Sequence, residues 1–362
     1  MRWSSVAAEV RRARPLLGTR VEIRARARRP EAALHAAVDA AFAAVDDVHR
    51  LMSFHAPDSD VSRLNAEAHW HPLAVHPQTL AVLRAALELA RASAGIFDPC
   101  VGARLQRWGL LPSAGAIAEG GGWGDIELAG DGRVRFRRPL RIDLGGIAKG
   151  YAVDCAVAAL RGAGVEAGMV DAGGDLRVFG VPQRVFLRHP LQPAACATEL
   201  LLQDEALATS SCCFSRTQGK AGTVSALLDP RSGRPYTGQA SVSVRAPQCM
   251  HADALTKLVL FGAPAQIETV LSDYGALALV QVPDEGLMDP CVGYFVDAAA
   301  LDPSPLHVQR SHPWRDPTAS GTPGPAIPGR AIGAAGNDIE SLPNRVPSPE
   351  GRGVQGIGWQ QG

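Results

Sequence analysis

The stretch "RIDLGGIAKGYAVD", residues 141–154, carries a strand pattern and a helix pattern on either side of two glycines. Leu140, Ile142 and Leu144 alternate with Arg141 and Asp143, the period of an extended segment with one buried face. Gly145-Gly146 frees the backbone to turn or to approach another group closely. From Ile147 the apolar spacing becomes helical, with Ile147, Tyr151, Cys155 and Ala159 on one face, and Gly162 and Gly164 end the run. Asp143 is thus expected at the end of a strand over 133–144. Lys149 falls in the first turn of a helix, where the backbone N–H groups are unpaired. A helix N-terminus with a lysine favours an anion, and the adjacent carboxylate favours a cation or a hydroxyl. A nucleotide with a metal ion satisfies both. A plain turn with an Asp–Lys surface pair is the alternative. Neither GxGxxG nor GxxxxGK[ST] fits this turn.

The chain around it has 362 residues, enough for one large or two medium domains, and 46% of them are hydrophobic. The 36 basic and 36 acidic residues cancel, which argues against nucleic acid as a partner, since phosphate neutralisation needs a basic face. No apolar run reaches the roughly 18–20 residues of a membrane span. The first residues show no apolar signal region and no early cysteine, so a cytoplasmic location is expected. Seven scattered cysteines, two of them adjacent at 212 and 213, suggest neither a disulfide framework nor a zinc site.

Strands are expected at 20–27, 167–171, 175–180, 184–188 and 275–282. Helices are expected at 31–53, 59–68 (capped by Ser59 or Ser62), 77–95 and 250–261. Helices and strands mix without a regular βαβ count, which favours an α+β fold. From Pro303 to Gly362 the chain is rich in Pro, Gly, Ser and Asn without apolar periodicity, and reads as a disordered tail.

Four further loops share the character of the first. "GMVDAGGDLRVFG" (168–180) ends a strand at Asp171, turns through Gly173-Gly174 and leaves by Asp175. "ALATSSCCFS" (206–215) supplies Thr209, Ser210 and Ser211. "LLDPRSGRPYTG" (227–238) is a turn by composition. "CMHADALTKLVLFG" (249–262) puts Asp253 and Thr256 three apart, on one helical face. Each has a bland reading as a turn or a cap. Taken together they offer oxygen ligands at glycine turns, and oxygen suits magnesium rather than zinc.

The wording and order of these blocks resemble the ApbE-type FAD:protein FMN transferase family. The blocks are "LLGT" (16–19), "MSFHAPDSDVSRLN" (52–65), "FDPCVGARLQRWG" (97–109), "DLGGIAKGYAVD" (143–154), "DAGGDL" (171–176), "ATSS" (208–211), "LLDPRSG" (227–233) and "ADALTK" (252–257). The resemblance implies a T-fold-like α+β domain over 14–300 with an FAD site in a cleft. It also implies transfer of FMN from FAD to a Thr or Ser hydroxyl of an acceptor protein, with release of AMP. Asp143 and Lys149 are then FAD contacts, and Mg²⁺ is held by the Gly146 carbonyl, Asp253 and Thr256. Phe97 and Asp98 match the family's flavin-contacting pair, Leu17, Phe54 and His55 lie at further flavin contacts, and Asp171, Gly173, Gly174, Thr209 and Asp229 belong to the same cleft. Asp253 and Thr256 are the catalytic candidates.

The chain departs from the family pattern at four positions. The metal-binding Thr of the family stands four residues after the Asp, where this chain has Lys257, with Thr256 one earlier. Ala226 stands where the pattern has His, and His251 is the candidate substitute as proton acceptor. Asp171 and Ser211 replace Asn and Gly. Hydrolysis of FAD to FMN and AMP, or flavin binding without transfer, are the alternatives.

Overall fold

The computed structural model describes residues 7–113, 120–190, 192, 196–211, 217–219, 222–283 and 291–296. The tail expected from Pro303 lies outside them. The chain opens with a hairpin, β1 (Ala8–Leu16) and β2 (Thr19–Ala27), paired so that Leu16 faces Thr19. The two loop residues, Leu17 and Gly18, have φ of 56° and 68°. Positive φ at both places marks the tight turn that matches strand twist, and a leucine there is strained. Helix α1 (Glu31–Met52) follows. Its apolar residues Leu34, Val38, Phe42, Val45 and Val48 recur at helical spacing and are all buried.

Next come α2 (Asp60–Glu67), β3 (Leu73–Ala74), α3 (Pro77–Ala92), α4 (Gly102–Arg107), β4 (Ile126–Leu128) and β5 (Arg133–Phe136). Ser59 is the cap of α2, accepting the Ser62 N–H at 3.0 Å. Helix α5 (Ala148–Gly162) leads into β6 (Ala167–Ala172), β7 (Asp175–Phe179), β8 (Gln183–Arg188), β9 (Cys196–Leu202) and β10 (Ala206–Ser211). The remainder is β11 (Thr217–Gly219), β12 (Gly222–Val224), β13 (Ser241–Ala246), α6 (Cys249–Phe261), α7 (Pro264–Asp273), β14 (Leu277–Pro283) and β15 (Cys291–Val296).

Eight of these strands form one antiparallel sheet in the order β1-β2-β6-β7-β10-β13-β14-β15. Helices α1, α5 and α6 cover one face, α1 over β1 and β2, α5 over β6 and β7, α6 over β10 and β13. Strand β7 shows how the pleat divides the cores. Phe179 joins the large core beneath the helices, while Leu176 and Val178 join a second cluster with Val185, Leu187, Leu200 and Leu202 of the β8–β9 ribbon. Asp175 is in step with Phe179 and so faces the helices.

Two sequence expectations are corrected. The extended run 133–144 is a paired strand only over Arg133–Phe136. Beyond it, loops rather than a ladder satisfy the backbone. The Ile142 N–H donates to Asn65 Oδ1 at 2.7 Å and its carbonyl accepts from Asn65 Nδ2 at 2.9 Å. The Asp143 N–H donates to the Pro99 carbonyl at 2.8 Å, and the Gly102 N–H to the Arg141 carbonyl at 3.0 Å. The motifs "SRLN", "FDP" and "DLGG" are thereby locked to one another. The alternation itself holds, with Leu140, Ile142 and Leu144 buried. In α5 the buried face is Ala152, Val153, Ala156, Val157 and Leu160, whereas Tyr151, Cys155 and Ala159 are half-buried along its edge.

Candidate active site

Helix α5 begins at Ala148, directly after the Gly145-Gly146 turn, so Lys149 occupies its first turn as the sequence implies. Gly150 lets α5 and α6 approach. A Cβ there would lie 2.2 Å from the Cys249 carbonyl oxygen, a separation backbone atoms do not tolerate. The contact is fixed from the other side by Asp154, whose carboxylate accepts the N–H groups of Cys249 and Met250 at 3.0 and 2.9 Å and pairs with Arg177 at 2.7 Å. It caps α6 at the end where that helix's N–H groups are unpaired.

This packing brings four charged side chains together. Lys149 Nζ is ion-paired with Asp175 Oδ2 and lies 3.9 Å from Asp253 Oδ2. Asp253 Oδ2 also accepts the Gly150 N–H at 3.3 Å, and Oδ1 is ion-paired with Lys257 Nζ. Lys257 donates a second bond, of 2.8 Å, to the Asp253 carbonyl. Both carboxylates are almost fully buried, Asp175 at 2% and Asp253 at 1% exposure. Burial and the neighbouring Asp253 push the Asp175 carboxyl up to about 6, against the pull of Lys149 and Lys257. Burial works against the charge on Asp253 as well, but there the two lysines outweigh it and hold the carboxyl below its ordinary range. Lys149 is half-buried by this packing, and the pull of the two carboxylates more than offsets the desolvation, so its pKa is raised.

The glycine turns border this cluster. A Cβ on Gly146 would sit 3.4 Å from Lys257 Cε and 3.7 Å from the Phe97 ring. Asp143 lies beside it, its carboxyl raised by burial and drawn back by the Gly145 amide, His55 and Lys257. The Gly173-Gly174 turn runs straight into Asp175. Asp171 Oδ1 accepts the Gly174 N–H at 2.9 Å, and the Gly174 carbonyl accepts the Thr209 N–H at 3.2 Å. Thr19 presses against Gly173, which brings the β1–β2 hairpin turn with Leu17 to the same edge. A cavity of about 820 Å³ opens beside that hairpin, lined by Leu17, Thr19, Asp46 and His49 among others. It holds none of the four charged groups, so the cluster rather than the cavity marks the chemistry.

Other expected residues stand elsewhere. The Thr256 hydroxyl is fully buried, donates to the Asp253 carbonyl at 2.7 Å and pairs with Ser210 Oγ at 2.7 Å, turned towards β10. Lys257, four residues after Asp253, takes the position beside it instead. His251 packs edge-on against Tyr274 with ring centres 4.8 Å apart. Two residues from Asp253 on a helix, it points to the other side. Asp98 accepts the N–H groups of Cys100 at 2.8 Å and Trp123 at 3.3 Å. Asp229 closes its own turn through Arg231 and Ser232. Phe54 is half-buried and Ala226 is exposed. Lys257, Asp175, Asp154 and Gly150 carry no role in the sequence pattern alone. The i, i+4 spacing of Asp253 and Lys257 was the one available signal for the first.

A site for Mg²⁺ fits poorly here. Lys257 occupies one Asp253 carboxylate oxygen, the Thr256 hydroxyl is spent on β10, and among the described residues no group of three or more His, Cys, Asp or Glu is placed to hold a metal ion.

Comparison with known proteins agrees with the family resemblance. The family model described as "ApbE family" matches residues 17–280. A protein of Vibrio cholerae named FAD:protein FMN transferase is 28% identical over 264 residues, spanning 68% of this chain and 79% of the relative. One of Rhodobacter capsulatus with the same name is 30% identical over 275 residues, 71% of this chain and 52% of the relative. Among solved structures, the flavin transferase ApbE from Vibrio cholerae superposes with a TM-score of 0.66 at 27% identity, over 81% of this chain and 98% of that one. The ApbE protein from Thermotoga maritima, at 24% identity and a TM-score of 0.68 over 75% and 94%, shares the fold. The chain belongs to the ApbE family of FAD:protein FMN transferases.

Proposed function

We propose that this chain transfers FMN from FAD to a Thr or Ser hydroxyl of an acceptor protein. The acceptor oxygen attacks the FMN phosphorus and forms the new P–O bond. The bond from that phosphorus to the bridging oxygen breaks, AMP leaves with the electron pair, and the hydroxyl proton passes to solvent. The observation that carries this reading is the meeting of Lys149 and Lys257 around Asp253 at the start of α5, with Lys257 reaching the Gly145-Gly146 turn. Two ammonium groups and a helix N-terminus favour a pyrophosphate, and they oppose the charge that gathers on phosphate oxygens as AMP departs. Asp175 and Asp253 keep both ammoniums in place before FAD arrives. Phe97, packed against Gly146, offers an apolar face for the isoalloxazine ring.

Hydrolysis of FAD is the second reading, with water in place of the acceptor hydroxyl at the same phosphorus. Chromatography of AMP separates the two. Transfer requires AMP release to depend on an acceptor carrying a free Thr or Ser. AMP formed at the same rate without acceptor would favour hydrolysis.

A further inference from the structure

The disagreement over Mg²⁺ has a specific shape. The group that displaces a cation from Asp253 is itself a cation. The Lys257 side chain runs from α6 past the Asp253 carboxylate to the Gly145-Gly146 turn, where a Cβ on Gly146 would lie 4.0 Å from its Nζ. An ammonium has three N–H donors. Asp253 takes two of them, through Oδ1 and its carbonyl, and the third is left for whatever sits at the turn. The side chain is 15% exposed, so it is enclosed but reachable from the cleft. Lys149 lies 3.9 Å from the other oxygen of the same carboxylate. A divalent ion placed on Asp253 would therefore stand between two ammoniums, repelled by both, with Thr256 Oγ1 committed to Ser210. Magnesium also demands near-ideal octahedral oxygen coordination.

Resting on the transferase reading above, we propose that the Lys257 ammonium stands in for a divalent cation, so that the FAD pyrophosphate is held between Lys149 and Lys257 and binds without metal. A fixed ammonium supplies one positive charge and a directed donor. It does not exchange with solvent ions, so the site is charged and ordered before its substrate arrives.

The test is FAD affinity by calorimetry in EDTA and in Mg²⁺, with Mn²⁺ binding followed by electron paramagnetic resonance. The wild-type chain binds FAD equally in the two buffers, within twofold, and leaves added Mn²⁺ free whether or not FAD is present. Lys257→Met weakens FAD binding at least tenfold in both buffers. Lys257→Thr, which restores an oxygen at this position, binds at least tenfold more weakly in EDTA and recovers in Mg²⁺. Lys257→Arg keeps the charge and keeps metal-independent binding, which guards against variants that merely misfold. Wild-type affinity that falls tenfold in EDTA and returns with Mg²⁺, or one Mn²⁺ bound per chain, overturns the proposal. So does Lys257→Met binding FAD as well as wild type. A chain that binds FAD without metal but never releases AMP refutes the transferase reading alone. One that binds no FAD in either buffer refutes both.

Discussion

Replacing Asp175 with asparagine should make the protein more stable above neutral pH, because this carboxylate is kept at the expense of the fold. The group is 2% exposed, and its pKa is pushed from its ordinary 3.8 to about 6 by burial and by Asp253. A folded-state pKa above the unfolded one means that the native state binds the proton more tightly. The neutral carboxyl's contribution is whole below pH 3.8 and is lost as pH rises through about 6. At 1.36 kcal/mol per unit, the loss approaches about 3 kcal/mol by pH 8. Asparagine has the same shape and cannot ionise. Asp175→Asn should therefore equal wild type at pH 4 and exceed it by about 3 kcal/mol at pH 8, a Tm gain of about 6 °C in a chain this long. Urea titrations at both pH values read the difference directly. A variant no more stable than wild type at pH 8, or one whose advantage is the same at pH 4, would refute the electrostatic reasoning. The retained carboxylate then makes sense as the group that aims Lys149, a stability cost accepted at a working site.

Gly150→Ala forces α5 from α6 by placing a methyl group against the Cys249 carbonyl. It should destabilise by about 1–3 kcal/mol and lower FAD affinity at least about tenfold, read by thermal melts and calorimetry. Asn65→Ala strips both partners from the buried Ile142 backbone. A loss of about 2–4 kcal/mol in denaturant titrations is expected. His251→Ala should leave single-turnover transfer unchanged, because its ring faces Tyr274. Ala226→His should raise the rate about tenfold or more near neutral pH, with FAD affinity unaltered.

Much of the site could be read from residues 141–154, because a strand-to-helix handover through two glycines constrains the backbone locally. Lys149 falls at the helix start as expected. The extended approach to Asp143 is not a ladder strand beyond Phe136. Alternating burial marks any extended segment against a core, whether a neighbouring strand or the Asn65 side chain takes up its hydrogen bonds. Strand β1 escaped notice because "AEVRRARPL" buries only Val10 fully and spends its arginines on Glu22 and Asp39. Asp175 and Lys257 are legible as charges, but their meeting depends on how closely α5 and α6 pack over β7. That closeness is set by Gly150 and the Asp154 cap, neither of which announces its partner in sequence. Thr256 and Lys257 differ by one residue and by about 100° around the helix. A one-face approximation could not say which of them stands at the turn.

The central claim is that this chain moves FMN onto a protein hydroxyl. Its most direct measurement is the intact mass, under denaturing conditions, of an acceptor protein with a free Thr or Ser after incubation with FAD and this chain. The account predicts a covalent gain of one FMN phosphoryl unit per acceptor, absent when that hydroxyl residue is replaced by alanine and lost with Lys149→Met. An acceptor of unchanged mass alongside intact FAD would contradict it.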